Sequence, residues 1–450
     1  MRRSVLYLVS MLVLSVLLGA CQVQGADLAA TSGDGMASDG PTNIVLMRFF
    51  GDCFDEFGTN ADLSAAYGEC GIIQTLTNAF NESQDEVFVE TQVVDWPGFA
   101  ELNSNLAANT PPDIMVLHGF RISNYASRGL LTPLDEGFET VGIDVADFSD
   151  TALENVSYNG EIFGLPLDLH GHIWHINLGL WAEAGLVDDD GAPMLPVGET
   201  EFLAAAEQFT AATGLPFTGM WTNGLSRNWM ALVYQQGGAI EDGDGLPVVD
   251  TAEGLAALNF LIKLRDEGHI TDNVDYTASQ EIFLNGENGS HVNGTWVVNF
   301  YDEQTKDEES GLKDYYVASF PQIFDQPAAW AATHSWIIPQ GNDGDPAKIN
   351  ATLKFFKYLN DNNLQWARTG HATVLKSVLE SAEYNELAHR NEYASFVSDS
   401  VGVPRRNWTT AFETVLDEEL TAALLGDKSP AEALAAAQSR LTDFAQFGGE

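Results

Sequence analysis

Basic residues are scarce in this sequence of 450 residues. Lys and Arg together number 20, whereas Asp and Glu number 65, which gives a formal net charge of −45 at pH 7. So acidic a surface repels phosphate groups, which excludes nucleic acid and anionic membrane surfaces as partners. Two interpretations of the acidity stay open. The acidic surface keeps the protein soluble in salty surroundings, or it attracts cationic ligands. Such attraction acts only over roughly 10 Å, because salt screens it at longer distances.

The motifs of common enzymes are also absent. The sequence has no Gly-x-Ser-x-Gly elbow, no phosphate-cradling glycine loop and no His-Glu-x-x-His helix. Pairs of acids indicate little in a chain with 65 of them, although a retaining glycoside hydrolase needs only two carboxyls about 5 Å apart. We therefore predict a protein that is not an enzyme and needs no cofactor, with a hydrolase as the last alternative.

Only one apolar run approaches the length of a membrane segment, and it lies at the N-terminus. Arg2 and Arg3 precede Val5–Leu18, a mainly apolar run that is too short to span a membrane as a helix. We predict a signal peptide at 1–20, and its end, "LLGAC", resembles the lipobox of bacterial lipoproteins. That resemblance implies cleavage before Cys21 and a lipid on it; an ordinary signal peptide is the alternative. Removing both arginines changes the formal charge to −47.

Residues 21–42 have no aromatic side chain and are rich in Gly, Ala, Ser and Asp. Such a segment cannot bury enough apolar surface to offset the entropy of ordering it. We expect a flexible tether, or a disordered tail without a spacing role.

The sequence has only three cysteines. With lipid on Cys21, Cys53 and Cys70 remain as a pair in an oxidising compartment, which favours a disulfide worth roughly 3 kcal/mol. Two isolated thiols are the alternative. Neither cysteine has the neighbouring Cys or His residues that a structural zinc site needs.

Strand and helix patterns alternate after the tether. They are a strand at 43–51, a helix at 71–83, a strand at 87–96, a helix at 99–108 and a strand at 113–119. This order predicts an open α/β sheet with parallel strands and right-handed crossovers. Ligands bind beyond the carboxyl ends of such strands. The residues at that edge are Phe50, Asp52, Trp96 and His118.

Helical patterns dominate further on. Apolar stripes predict helices at 199–214 and 251–268, each ended by glycine. Ser429 is followed by Pro430 and, three residues after the serine, by Glu432, which is the capping box of a helix start. A chain of this length exceeds what one hydrophobic core usually serves, so we expect two lobes.

Several stretches in order resemble the carbohydrate-type extracellular solute-binding proteins of ABC importers, the family that includes maltose-binding protein. They are "PPDIMVLHGFRISNYASRGLLTPLDE" (111–136), "YNGEIFGLPLDLHGHIWHINLGLWAEAGL" (158–186), "FLNGENGSHVNGTW" (283–296), "YVASFP" (316–321) and "KFFKYLN" (354–360). The resemblance implies a periplasmic-binding-protein-like fold, with two α/β lobes joined by a multi-strand hinge and a ligand cleft between them. It implies one lobe at 43–167 with 323–361, and another at 168–322 with 362–450.

The resemblance also implies a function. We expect a monomeric receptor, held by lipid on the outer side of the bacterial membrane, that delivers a sugar or oligosaccharide to the permease subunits of an ABC transporter. ATP hydrolysis would belong to those partner subunits. One alternative is a receptor for a cationic or peptide-like solute, which the acidic chain, Asp52 and Asp168 suggest. A metal receptor is less favoured.

The stretch "DLHGHIWHIN" (168–177) lies on the hinge in this family pattern. We expect Asp168, His170 and His172 to face the cleft and bind sugar hydroxyls. A metal site formed by these residues and His175 is less favoured, because side chains alternate faces on a strand and His175 would point away. Hinge residues without ligand contact are the other alternative.

Tryptophans supply the second set of candidates. A pyranose presents an apolar face to an indole ring and hydroxyls to polar side chains. We predict ligand contacts from this set of residues: Trp96, Trp221, Asn223, Trp296, Trp336 and Arg405. The resemblance supports three of them. Trp296 ends "NGTW" (293–296), Trp336 ends "THSW" (333–336), and Arg405 lies in "VPRRNW" (403–408). Packing in the core or in a plain loop is the alternative for each.

Overall fold

The computed structural model describes residues 40–271, 273–341 and 344–447. The predicted signal peptide at 1–20, the predicted lipid on Cys21 and most of the predicted tether at 21–42 lie outside these ranges. Within them, no helix combines the length and the apolar character needed to cross a membrane.

Most of the β-strands belong to two sheets. In chain order the strands are β1 (Thr42–Arg48), β2 (Val87–Val93), β3 (Ile114–His118), β4 (Ser157–Tyr158), β5 (Glu161–Ile162), β6 (Leu165–Pro166), β7 (His170–Asn177), β8 (Thr218–Gly219), β9 (Ile270–Thr271), β10 (Ser290–Gly294), β11 (Tyr315–Ser319), β12 (Ala329–Ala332), β13 (His334–Ile337) and β14 (Ser400–Gly402). The short strands β4 and β5 pair only with each other.

The first sheet has the strand order β2-β1-β3-β13-β6. β1 pairs in parallel with both β2 and β3, as the alternating patterns predicted. β2 ends at Val93, earlier than predicted, although the Val94 N–H still donates to the Arg48 carbonyl at 2.9 Å. β13 comes from a much later part of the chain and runs antiparallel to β3, with His334 opposite His118. The sheet thereby joins two histidines that are far apart in sequence.

The second sheet has the strand order β14-β12-β7-β10-β8-β9, and β11 also pairs with β7. β7 contains most of the histidine-rich stretch, and every one of its residues is buried. Its antiparallel neighbour β10 places Gly294 opposite His172. Its other neighbour β12 places Ala332 opposite His170. The histidine-rich stretch is therefore the central strand of the second sheet.

The helices cover the faces and edges of these sheets. In chain order they are α1 (Phe54–Phe57), α2 (Gly68–Ser83), α3 (Phe99–Ala107), α4 (Gly119–Ser127), α5 (Asp135–Val141), α6 (Asp150–Val156), α7 (Leu178–Glu183), α8 (Glu199–Thr213), α9 (Leu225–Gln235), α10 (Ala252–Asp266), α11 (Tyr276–Leu284), α12 (Val298–Gln304), α13 (Pro346–Asp361), α14 (Asn363–Ala367), α15 (Lys376–Leu379), α16 (Ala382–Asn385), α17 (Phe396–Asp399), α18 (Thr409–Leu424) and α19 (Pro430–Phe447). Short 3-10 turns lie at Leu63–Ala65, Val145–Asp147, Thr222–Gly224 and Thr295–Val297.

The local signals for helix starts and stops are confirmed. At the start of α19, the hydroxyl of Ser429 accepts from the backbone N–H of Glu432 at 3.3 Å, and the Glu432 carboxylate accepts from the Ser429 N–H at 3.0 Å. At the end of α8, Gly214 adopts φ = 73°, a left-handed conformation that glycine reaches without steric cost.

Two hydrophobic cores accompany the two sheets. One gathers buried side chains from residues 44–167 and 336–375 around the first sheet. The other gathers side chains from residues 173–332 and 393–441 around the second sheet. The protein therefore has the two α/β lobes that were expected, which we call the first and the second lobe after their sheets. The exact boundaries predicted from the sequence stay a prediction.

The chain crosses between the lobes at neighbouring places. One crossing runs from β6 to β7 and another, at Thr333, runs from β12 to β13. The Leu167 N–H donates to the carbonyl of His334 at 2.8 Å, and Leu169 exchanges hydrogen bonds of 2.9 and 3.0 Å with Ala372. Several extended segments thus connect the lobes side by side, as expected for a multi-strand hinge.

Candidate ligand-binding site

A cavity of about 460 Å³ lies between the two sheets. Its volume falls within the range of pockets that hold small-molecule ligands. From the first lobe, the lining residues are Phe49, Phe50, Gly51, Glu69, Trp96, His118 and His334. From the second lobe, they are His170, Trp221, Asn223, Arg227, Tyr276, Trp296 and Trp330. Each lobe therefore supplies half of a wall that is rich in aromatic rings.

Six of the residues selected from the sequence lie in this wall. They are Trp96, His118, His170, Trp221, Asn223 and Trp296. Trp96 and His118 lie at or beyond the carboxyl ends of β2 and β3, which is the edge where open α/β sheets bind ligands. Trp96 is 57% exposed, so its indole has a face that is free to contact a ligand.

The indole of Trp296 is held in place by its neighbours. Its Nε1 donates to the Tyr276 hydroxyl at 2.7 Å. The Tyr276 and Trp221 rings form a T-shaped pair with a centroid distance of 5.2 Å. A Cβ atom on Gly294 would lie 2.1 Å from the Trp296 ring. Only glycine therefore permits this position of the indole, which explains the "NGTW" pattern in terms of close approach.

Arg227 is a charged side chain in an otherwise aromatic part of the wall. Its guanidinium carbon lies 4.3 Å from the centroid of the Trp330 ring. Its Nε and Nη2 donate to the two carboxylate oxygens of Glu413 at 2.9 and 3.2 Å. Burial opposes the charge, but Glu413 and Asp417 raise the pKa of Arg227 above its usual value. The arginine is thus fixed and charged, and its stacking helps to hold Trp330.

Asp168 lies beneath the cavity and is completely buried. It accepts from Nδ1 of His170 at 2.9 Å and from Nδ1 of His334 at 3.0 Å. It also accepts from the backbone N–H of His334 at 3.1 Å and from Nε1 of Trp366 at 2.7 Å. Burial alone would raise the pKa of Asp168, but His334, His371 and the hydrogen bonds hold it well below its usual value. An ionised carboxylate only accepts, so both imidazoles carry their proton on Nδ1.

Three imidazoles in this region, those of His118, His170 and His172, are neutral at pH 7. Burial lowers the pKa of His118 and of His170 well below the usual value, and the neighbouring His334 lowers both further. Burial also lowers the pKa of His172 to about 3. Neutral imidazoles act as hydrogen-bonding groups or as metal ligands rather than as charges.

Five selected residues lie outside the wall. Asp168 and His172 are buried behind it, and the His172 Nδ1 lies 2.7 Å from the Asn228 amide oxygen. Trp336 is fully buried in the first core. Asp52 is exposed and accepts from the Phe54 N–H at 3.1 Å, and Arg405 forms an ion pair with Glu154. Direct ligand contact by these five stays a prediction without support from their positions.

Several wall residues were not selected from the sequence. They are Phe49, Phe50, Gly51, Glu69, Arg227, Tyr276, Trp330 and His334, of which Phe50 was noted only for its strand end. His334 stands two residues before Trp336 in "THSW" and shares its face of the strand. His334, at the start of β13, lines the cavity, whereas Trp336, inside the strand, does not. Strand periodicity alone does not distinguish these two positions.

The predicted disulfide between Cys53 and Cys70 is present. It joins the turn before α1 to the first turn of α2. Gly51 and Glu69, which flank the two cysteines in sequence, both line the cavity. The disulfide therefore holds two segments of the wall beside each other.

Asp417 makes stability depend on pH. Burial raises its pKa to about 7, even though it accepts from the Ser226 N–H at 2.8 Å. Because the folded state then binds a proton more tightly than the unfolded state, stability falls as pH rises from about 4 to about 7. Asparagine cannot ionise, so Asp417→Asn should not lose this stability as pH rises. We therefore expect the free energy of unfolding of the variant, minus that of wild type, to be larger at pH 8 than at pH 5. The increase should be at least about 1.4 kcal/mol, which corresponds to one pKa unit.

Urea denaturation at the two pH values measures this difference. The variant Glu287→Gln, at an exposed position, controls for the loss of one negative charge. A difference between Asp417→Asn and wild type that is the same at both pH values would contradict the assignment.

Comparison with known proteins places the chain in a family. The family model described as "Bacterial extracellular solute-binding protein" matches residues 75–392. The arabinooligosaccharide-binding protein of Bacillus subtilis (strain 168) is 21% identical over 338 residues, which is 73% of this chain and 75% of that protein.

Solved structures share the fold. The GacH receptor of Streptomyces glaucescens, solved unliganded and with acarbose, matches this chain with a TM-score of 0.76 at 20% identity. The match covers 90% of this chain and 99% of the receptor chain. The maltose/maltodextrin-binding domain of Bdellovibrio bacteriovorus, bound to maltotriose, matches with a TM-score of 0.73 at 16% identity. The match covers 90% of this chain and 100% of the domain. The two-lobe fold predicted from the sequence is therefore confirmed.

Proposed function

The chain belongs to the bacterial extracellular solute-binding proteins, and from this membership we propose that it binds a sugar or oligosaccharide between its lobes and delivers it to an ABC transporter. The family is one of extracytoplasmic binding proteins rather than enzymes. Relatives named above bind arabinooligosaccharide, acarbose and maltotriose, and we propose the same chemical class of ligand here.

The observation that carries this proposal is the composition of the cavity wall. Indole rings reach it from both lobes, with Trp96 on one side and Trp221, Trp296 and Trp330 on the other. A sugar ring offers apolar C–H groups to such faces. A small number of polar groups then has to meet its hydroxyls and fix its orientation.

The polar groups of the wall suit a neutral ligand. Asn223 has an amide, and the buried imidazoles of His118 and His170 are uncharged for the reasons given above. Hydroxyl groups both donate and accept hydrogen bonds, so they can match amides and neutral imidazoles alike. The wall also contains one basic side chain, Arg227, and one acidic side chain, Glu69, so neither type is in excess there.

The alternative of a cationic ligand loses the residues that suggested it. Both oxygens of the Asp168 carboxylate are already engaged by buried donors. Asp52 lies outside the wall. A carbohydrate is therefore the better match to the described residues.

Binding would act through closure of the two lobes. A ligand that touches both halves of the wall gains more contacts in the closed state than in the open one, which shifts the population toward closure. The closed, liganded form would be the one that the permease subunits of the transporter recognise. We further propose that the protein is a monomer held to the membrane by lipid on Cys21; mass spectrometry of the mature N-terminus tests the lipid.

The first test is the melting temperature of residues 43–450 against a panel of ligands. The panel contains arabino- and malto-oligosaccharides, monosaccharides, amino acids, dipeptides and spermidine. A ligand at a hundred times its dissociation constant stabilises the folded state by about 2.7 kcal/mol, which is a visible shift. We expect a rise with one class of saccharide. A rise with spermidine or a dipeptide, and with no saccharide, would replace the carbohydrate proposal by its runner-up.

A further inference from the structure

Three imidazoles meet at the floor of the cavity. His118 ends β3, His334 begins β13 and His170 begins β7. One ring nitrogen from each lies within 4.8 Å of the nitrogens from the other two. The rings of His170 and His334 are stacked with centroids 3.8 Å apart, and the ring of His118 lies 4.9 Å from His334 and 5.6 Å from His170. All three residues line the cavity.

The hydrogen bonds of these rings leave nitrogen atoms free. Asp168 occupies Nδ1 of His170 and Nδ1 of His334, so the nitrogen that each has left is Nε2. No residue in the described ranges hydrogen-bonds either Nε2 atom. The Nδ1 atom of His118 is buried and likewise has no hydrogen-bond partner among the described residues. A buried polar atom without a partner is costly and calls for an explanation.

We propose that His118, His170 and His334 bind one divalent transition-metal ion of the Zn²⁺ type at the floor of the ligand cavity. Imidazole nitrogen is a preferred ligand for zinc, copper and nickel ions. A carboxylate that accepts from the other ring nitrogen is the usual support for a metal-binding histidine, and Asp168 gives this support to two of the three. Asp168 is thus a positioning residue.

Metal binding requires the three rings to move from the positions described here. Zinc lies about 2.0–2.1 Å from a histidine nitrogen, so two nitrogens on one ion are at most about 4.2 Å apart. The three rings therefore have to draw together by roughly 1 Å. Because the rings of His170 and His334 are nearly parallel, with an angle of 17° between their planes, one of them also has to turn so that both Nε2 lone pairs point at the same ion. Three protein ligands leave a coordination position for water or ligand, and that position would face the cavity. An oxygen atom of a bound sugar could occupy it.

Other groupings of these side chains fit a metal less well. The metal alternative considered from the sequence combined Asp168 and His170 with His172 and His175, but neither His172 nor His175 belongs to a group of three close ligand atoms among the described residues. Both nitrogens of His175 are engaged, with the Tyr315 hydroxyl at 2.6 Å and the Gly294 carbonyl at 3.1 Å. A second grouping, Glu69 with His334 and His371, has both nitrogens of His371 engaged already, by Thr295 at 2.8 Å and Glu69 at 2.9 Å.

The test measures metal binding and sugar binding separately on the intact secreted chain. Protein freed of metal by chelator is titrated with ZnCl₂ by calorimetry and with Co²⁺ by visible absorption, which reports the ligand set around cobalt. We expect one Zn²⁺ per chain and the visible bands of a nitrogen-ligated Co²⁺. His118→Gln should weaken Zn²⁺ binding at least tenfold, and Asp168→Asn should weaken it 10- to 100-fold.

Two choices keep the test decisive. His118 makes no hydrogen bond to Asp168, so His118→Gln probes the metal even if Asp168→Asn is too unstable to purify. His269→Gln is the matched control, because His269 is a buried histidine outside the cavity wall and should leave Zn²⁺ binding unchanged. Absence of stoichiometric Zn²⁺ binding, or equal binding by His118→Gln and wild type, overturns the metal site. Saccharide binding that persists in chelator leaves the proposed function standing in that case.

Discussion

Replacing Asp168 by alanine is expected to lower the free energy of unfolding by about 4 kcal/mol. The buried carboxylate accepts from four donors, two on His334, one on His170 and one on Trp366. Each buried donor that loses its partner costs about 1–3 kcal/mol, and relief from burying the charge offsets part of the sum. Since three of these donors belong to His170 and His334, which stand beside the crossings between the lobes, the loss should also loosen the hinge.

Urea denaturation of wild type and of Asp168→Ala measures the change in the free energy of unfolding. Asp150→Ala is the matched control, because Asp150 is fully exposed and surface substitutions usually change stability by no more than about 0.5 kcal/mol. A change at Asp168 as small as that at Asp150 would show that the buried network contributes nothing to stability.

Replacing Trp296 by alanine is expected to weaken saccharide affinity by at least about 30-fold. This corresponds to about 2 kcal/mol, the usual lower limit for a residue that dominates an interface. The reason is that the indole is already fixed by the Tyr276 hydroxyl and by the absence of a side chain on Gly294. A ligand therefore meets a rigid aromatic face and orders no side chain on binding.

Calorimetric titration with the saccharide selected by the melting panel measures the effect. Trp296→Phe keeps a ring but loses area and the hydrogen bond to Tyr276, so its affinity should fall between wild type and Trp296→Ala. Trp181→Phe is the control: Trp181 is fully buried in the second core, so its replacement should lower stability and leave affinity unchanged. Wild-type affinity in Trp296→Ala would remove this indole from the site.

The fold could be predicted because its signals are local. The apolar stripe of α2 and the capping box at Ser429 need only the residues next to them. The alternation of strands and helices fixes parallel pairing of β1 with β2 and β3. The antiparallel pairing of β13 with β3 depends on a contact between distant parts of the chain, for which no local pattern exists.

The site could be predicted only where strand ends and glycine patterns mark it. His118 ends a strand and Trp296 follows Gly294, so both were found. Arg227 was missed, because its place in the wall depends on Glu413 in α18, far along the chain. Arg405 was selected through the family pattern, but here it pairs with Glu154. The residues next to either partner in the sequence do not predict an ion pair between distant segments.

Asp168 shows a third limit. The sequence identified it as a functional residue of the hinge, and the structure places it beneath the ligand wall instead of in it. The distinction depends on three donors from residues 334 and 366 that surround the carboxylate. Sequence spacing could show that an acid stands beside the histidines, but not that its oxygens are already occupied.

Hydrogen exchange, measured with and without the selected saccharide, would show whether the ligand is held between the two lobes. We expect the saccharide to slow exchange in both halves of the wall, at residues 49–51 and 96–98 of the first lobe and at residues 221–227 and 294–297 of the second. Exchange in α19, which lies in the second core away from the wall, should not change. Protection confined to one lobe, or none at all under saturating saccharide, would contradict the claim.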